Sequence, residues 1–172
     1  MRMFSAILLF SCISASISQA APKVRWPSDV VEWAKLKDAA ETAKKQKKGF
    51  AFIFVPAAYG EDTDGGVARS IAATNDAIRA LKSFCLIVKG DMQAVLKAMR
   101  TQQEDPNVSK ALMEGLNKAG NTYPLVVVLD GKRKSLLGAV AGQKIHDEGK
   151  KVFREAKKKF RNLDEEEEDK KK

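Results

Sequence analysis

Apolar residues recur three or four positions apart in several stretches of the chain, a spacing that places them on one face of a helix. The first stretch runs from Ser28 to Lys48, where Asp29 and Glu32 stand three residues apart as a capping pair. Lysines crowd its last turn, where positive charge suits the helix dipole, and Gly49 is placed to end it. The same spacing predicts further helices over about 67–81, 91–100, 107–119 and 145–163.

Short apolar runs without alternation lie between these stretches, a pattern typical of strands that are covered on both faces of a sheet. They predict strands over 50–55, 84–88 and 124–129. A further strand over 135–141 follows the turn Asp130-Gly131-Lys132, which predicts an antiparallel hairpin. Helices and strands alternate along the chain, so the sequence predicts one α/β domain.

The apolar residues of one predicted helix indicate which of its faces is buried. In the helix over 107–119, Leu112, Met113 and Leu116 fall at positions expected to face the core. Gly120 and Asn121 follow as the cap and turn that end this helix.

The order of these elements resembles the thioredoxin fold, over nearly all of residues 30–160. Asn121-Thr122-Tyr123-Pro124, directly before an apolar strand, is similar to the cis-proline signature of that family, with Pro124 in the place of the proline. Trp33 with the lysine-rich first helix before a Phe-rich strand, and glycines at 138 and 142, support the resemblance. It implies a three-layer sandwich, in which helices cover both faces of a central mixed sheet whose first two strands are parallel.

The chain departs from that family at the site of its chemistry. The family's oxidoreductases carry Cys-x-x-Cys where the loop after the Phe-rich strand enters the next helix, because the helix N-terminus stabilises a thiolate. Here the corresponding positions are Ala57, Ala58, Tyr59 and Gly60, followed by acidic residues. Disulfide exchange therefore lacks a nucleophile. The loop and the Tyr123-Pro124 edge are the candidate binding site, where Tyr59 and Tyr123 would face each other or simply pack.

Other candidate chemistry is sparse. Cys85 lies inside an apolar run and is expected to be a buried, inert thiol rather than a reactive site. His146, the only histidine, is expected at the surface near a helix start, and no metal or other cofactor is predicted. The segment from Glu61 to Gly65 has the composition of a calcium loop but lacks the spacing of an EF-hand.

Residues 1–20 have the pattern of an export signal. A positive start at Arg2 precedes an apolar run, and Ser18-Gln19-Ala20 offers small residues for cleavage after Ala20. The apolar run is shorter than a membrane-spanning helix requires. The alternative is a lipoprotein signal with Cys12 as the lipidated residue. Residues 21–163 then form the folded domain, and export predicts a secreted or periplasmic protein.

The charge is strongly basic and unevenly spread. The chain has a formal net charge of +9, yet Asp164 to Asp169 are all acidic. The basic body predicts either simple solubility or weak attraction to anionic surfaces, and export makes nucleic acid an unexpected partner. Residues 164–172 are expected to be a disordered charged tail.

Two functional hypotheses follow. The first is a redox-inactive binding module of thioredoxin-like fold, which contacts an unknown envelope protein or extended peptide through residues 57–60 and the Tyr123-Pro124 edge. The alternative is a thiol–disulfide oxidoreductase or peroxide reductase that uses a non-standard site such as Cys85. The absence of an assembled catalytic group favours the module.

Overall fold

A computed structural model of the chain describes residues 23–56, 65–101, 106–120 and 122–169. Among these residues the strands are β1 (Val31–Glu32), β2 (Gly49–Phe54), β3 (Cys85–Gly90), β4 (Leu125–Leu129) and β5 (Leu136–Ala141). The α-helices are α1 (Leu36–Gln46), α2 (Gly65–Leu81), α3 (Met92–Thr101), α4 (Pro106–Ala119), α5 (Lys144–Asp147) and α6 (Gly149–Asp169).

The five strands form one mixed sheet in the order β1-β3-β2-β4-β5. β2 lies parallel to β3 and antiparallel to β4, and β4 and β5 form the antiparallel hairpin that the turn at Asp130 predicts. The chain is therefore an α/β protein with a central mixed sheet, as the alternation of helices and strands indicates.

Both faces of the sheet are covered. Side chains alternate along β2, so that Phe50, Phe52 and Phe54 pack on one face while Ala51 and Ile53 pack on the other. The phenylalanine face lies against α1, α3 and α4, and the opposite face lies against α2, α5 and α6. Every residue of β2 and β4 is buried, which explains why these strands read as unbroken apolar runs.

The prediction that the first helix starts near Ser28 is wrong. Val31 and Glu32 instead pair with Val88 and Lys89 as a short edge strand, a 3₁₀ turn follows over Trp33–Lys35, and α1 begins at Leu36. Val30 and Trp33 pack on opposite faces of the sheet, as residues flanking a strand do, although their spacing also fits a helix. Asp29 and Glu32 therefore cap no helix, and the residue before α1, Lys35, makes no side-chain cap bond.

The end of α1 also differs from expectation. Lys47 takes the left-handed conformation at φ 49°, and the N–H of Lys48 donates to the carbonyl of Ala43, so the helix ends before Gly49. Gly49 opens β2 instead. A Cβ at this position would stand 2.7 Å from the carbonyl oxygen of Leu129, so the glycine permits β2 and β4 to approach.

Two further expectations are corrected in the helices. Leu112 and Leu116 are buried as predicted, but Met113 is 40% exposed, because it points away from the sheet between two inward turns of α4. The last helix is divided into α5 and α6, and α6 continues past Leu163 to Asp169. Residues 164–169, expected to be disordered, are thus helical in the structure.

Candidate functional site

The ends of four strands lie side by side at one end of the sheet. Phe54 at the end of β2 pairs with Gly90 at the end of β3 and with Leu125 at the start of β4, and Leu125 pairs with Ala141 at the end of β5. We call this end of the sheet, where β2, β3 and β5 end and β4 begins, the carboxyl edge. Val55 and Pro56, which follow Phe54, therefore lie near Tyr123 and Pro124, which precede Leu125.

Tyr123 and Pro124 are the two predicted site residues that the structure describes. Their peptide bond is cis, Pro124 is buried, and Tyr123 is 41% exposed, one of two large apolar side chains exposed among the described residues. The remaining predicted site residues, Ala57, Ala58, Tyr59 and Gly60, lie outside the described residues. The expected facing of Tyr59 and Tyr123 therefore stays a prediction.

A hydrogen bond ties this edge to the end of β5. The N–H of Gly142 donates to the carbonyl oxygen of Pro124 at 2.7 Å. Gly142 has φ +55°, and a Cβ there would stand 2.8 Å from the Thr122 hydroxyl oxygen, so only glycine fits without strain. The hydrogen bond holds the backbone of Pro124, directly after Tyr123, whose ring is partly exposed at the surface. In the sequence, Gly142 stands out only as part of a family pattern, and nothing there signals this contact.

Cys85 is inside the protein and at the other end of the sheet. Its side chain is 2% exposed, and burial raises the pKa of the thiol far above its ordinary value, an effect that the nearby positive charge of Lys48 only partly offsets. Cys85 pairs with Gly49 at the start of β2, whereas Pro124 precedes the partner of Phe54 at its end. The length of β2, about 17 Å, therefore separates the thiol from the carboxyl edge.

His146 lies on the surface of α5, as expected. Its side chain is 74% exposed, and its Nδ1 lies 3.2 Å from a carboxylate oxygen of Asp147. Among the described residues, no three His, Cys, Asp or Glu side chains are grouped so that they would hold a metal ion. The calcium-like segment Glu61 to Asp64 falls outside the described residues, and Gly65 after it begins α2.

A cavity of about 450 Å³ lies between α2, α5 and α6. Buried side chains on its floor include Ala77, Ile145 and Phe153, while the exposed pair Asp76 and Arg79, 3.3 Å apart, stands at its rim. Its volume suits a small molecule, but its lining does not bring together the buried polar groups that orient a ligand. It arises from the docking of three helices, and no motif in the sequence signals it.

No helix in the described ranges is both long and apolar enough to cross a membrane. No protein-family profile, no curated protein and no solved structure was found to match this chain.

Proposed function

We propose that this chain is an exported, redox-inactive domain of thioredoxin-like fold that binds an extended peptide or protein in the cell envelope. The binding surface is the carboxyl edge, with Tyr123 as its anchor. The observation that carries the proposal is the 41% exposed Tyr123 directly before a buried Pro124, at the end of the sheet where the segment after β2 departs.

The strand arrangement supports the thioredoxin-like part of the proposal. A sheet ordered β1-β3-β2-β4-β5, with a terminal antiparallel hairpin and helices on both faces, agrees with what the family resemblance implies. The cis bond before Pro124 agrees with it as well.

The position of the Cys85 thiol supports the proposal that the domain is redox-inactive. Sulfur exchange needs an accessible thiolate, and Cys85 is the only cysteine after residue 20. Burial keeps that thiol protonated, and its distance from the carboxyl edge leaves it without a substrate surface. An oxidoreductase or peroxide reductase would require this sulfur to become exposed.

Tyrosine is well suited to anchor a peptide. It offers a large apolar ring and a hydroxyl group at a small cost in conformational entropy, and tyrosines are enriched among the residues that dominate binding energy. Because the backbone beside Tyr123 is held by the Gly142–Pro124 hydrogen bond, little further ordering is needed on binding.

The test is an array of immobilised synthetic decapeptides of varied sequence, probed with the purified protein. We expect a subset of peptides to be bound, and Tyr123→Ala to weaken their binding by about tenfold or more. Met113→Ala is the matched control, because Met113 is exposed to the same degree but lies on α4. Equal binding by the two variants would exclude Tyr123 as the anchor.

A second assay tests the alternative that the protein is an oxidoreductase. Reduction of insulin disulfides in the presence of dithiothreitol should be no faster with the protein than without it, and Cys85→Ser should change nothing. Catalysis that disappears in Cys85→Ser would instead establish the oxidoreductase alternative.

A further inference from the structure

Cationic side chains form a row on the outer face of α6. Ala156 is buried against the sheet, whereas Lys150, Arg154 and Lys158 are exposed. These three residues stand four positions apart, so they lie one above the other along about 12 Å of the helix, and we call them the cationic row. Residues 149–161, to which they belong, include seven basic residues and one acid.

The positive charge of this row is not neutralised within the described part of the chain. No ion pair joins Lys150, Arg154 or Lys158 to an acid there. The single acid of the stretch, Glu155, lies about 100° around the helix from Arg154. The acidic end of the same helix begins at Asp164, six residues and about 9 Å beyond Lys158, and a continuous helix cannot fold back on itself. The row is therefore available to an anionic partner.

The cavity between α2, α5 and α6 lies beside this row, because Lys150 belongs to its lining. The floor of the cavity is apolar and includes the buried ring of Phe153, and the ion pair of Asp76 and Arg79 at its rim is exposed. Since the lining does not bring together buried polar groups, a ligand would be oriented by the charges beside the cavity. Cavity and row together offer an apolar surface next to several positive charges.

These two neighbouring features restrict the chemistry of the ligand. A lipid bilayer is held most firmly by apolar side chains that insert into it, but the apolar residues of α6 face the core. The bases of a single-stranded nucleic acid stack on aromatic rings, and the two rings of this helix, Phe153 and Phe160, also pack on the core. A sugar ring with a carboxylate fits both features, because its apolar face can pack on the cavity floor while the carboxylate meets a cation.

We infer that the cationic row and the adjoining cavity bind a linear polysaccharide of uronic acids. One sugar ring occupies the cavity, with its apolar face on Phe153. The carboxylates of the following sugars lie against Lys150, Arg154 and Lys158. This site shares no residue with the carboxyl edge, so the inference does not depend on the proposed peptide binding.

Fluorescence anisotropy of an end-labelled decamer of galacturonic acid, titrated with the full chain, is the first test. At about 0.1 M salt we expect saturable binding, and binding at least about tenfold weaker for a glucose decamer, which has no carboxylates. Equal binding of the two decamers would overturn the inference. Phosphatidylglycerol vesicles or single-stranded DNA bound through the row in place of the acidic decamer would overturn it as well, and would identify the partner instead.

Charge reversal tests the row. Arg154→Glu/Lys158→Glu should raise the dissociation constant of the acidic decamer about tenfold or more, while circular dichroism shows the fold retained. The control Lys37→Glu/Lys110→Glu makes the same change in net charge at exposed positions of α1 and α4, on the other face of the sheet, and should change binding less than about twofold. Equal weakening by both variants would show attraction by net charge alone and refute a site on α6.

Filling the cavity tests the polysaccharide assignment. Ala80 is exposed and lines the cavity, so Ala80→Leu should exclude the sugar ring and weaken binding of the acidic decamer about fivefold or more. Binding of polyphosphate, which has no apolar face, should be unchanged in this variant. Ala72→Leu, at an exposed position of α2 outside the lining, is the matched control and should bind both ligands normally. A decamer that binds Ala80→Leu as well as wild type would refute occupation of the cavity.

Discussion

Cys85 shows how one residue's surroundings decide its chemistry. The sequence supplies a single thiol after residue 20, and the sheet places it at 2% exposure between apolar neighbours. Burial disfavours the thiolate, so the pKa rises and nucleophilicity is lost. The same residue type in an exposed position at a helix start would have the opposite properties.

The raised pKa of Cys85 predicts a dependence of stability on pH. In the unfolded chain the thiol ionises near its ordinary value of 9.0, whereas in the folded chain it stays protonated, so the unfolded state binds fewer protons above that pH. The free energy of unfolding should therefore fall above about pH 9, by up to about 1.4 kcal/mol per pH unit from this group. Below about pH 8 both states are protonated and the effect vanishes.

Urea titrations of wild type and Cys85→Ala between about pH 7.5 and about pH 10.5 isolate this contribution, because the lysines titrate in both proteins. The difference in unfolding free energy should be constant up to about pH 8 and then shift in favour of the variant. A difference that stays constant over the whole range would show that the thiol is not buried as described.

At the scale of elements, α6 packs on the sheet through apolar residues from Val152 to Leu163, and Phe160 is one of them. The ring of Phe160 lies 6.1 Å from that of Phe84 at an angle of 49°, and it also contacts Gly49. These contacts join the helix to Gly49 at the beginning of β2 and to Phe84 directly before β3.

Phe160→Ala should lower the free energy of unfolding by about 2–3 kcal/mol, less than for a fully buried phenylalanine because Phe160 is only partly buried. Arg161→Ala, at the exposed next position, should change it by less than about 0.5 kcal/mol. Equal effects in urea unfolding would mean that α6 does not rest on Phe84.

At the scale of the whole molecule, Tyr123 and the thiol of Cys85 lie at opposite ends of one sheet. The carboxyl edge presents the partly exposed Tyr123, whereas the buried Cys85 pairs with Gly49 where β2 begins. Peptide binding at the carboxyl edge, as proposed, would therefore not involve the thiol. Cys85→Ser should consequently leave the binding of peptides in the array unchanged.

The export proposed for this chain predicts a defined N-terminus. When the full sequence is expressed in a bacterium, we expect the protein in the periplasmic or extracellular fraction, with Ala21 as its first residue by mass spectrometry. Ala20→Arg, which replaces the small residue before the cleavage point, should block processing. A lipid-modified Cys12 at the start would establish the lipoprotein alternative, and an intact Met1 in the cytoplasm would contradict both.

The sequence by itself determined the central strands, most helix positions and the α/β class, because period and unbroken apolar runs report local burial directly. It also located the proline that follows a cis peptide bond, and it showed that residues 57–64 contain no cysteine. The sequence did not predict the strand Val31–Glu32, because the spacing of Val30 and Trp33 fits a helix and a strand equally. Pairing with β3 makes this segment a strand. Likewise, the composition of residues 164–169 suggests disorder. In the structure these residues are helical, because they continue α6 beyond the part that packs on the sheet.

Only the tertiary structure decided which residues share a surface. The neighbourhood of Tyr123 and Gly142, the separation of Cys85 from that edge, and the cavity that Ala77, Ile145 and Phe153 share all involve residues distant in sequence. Local pattern carries no information about such contacts, because they arise from strand order and register, which are set by the packing of the whole sheet.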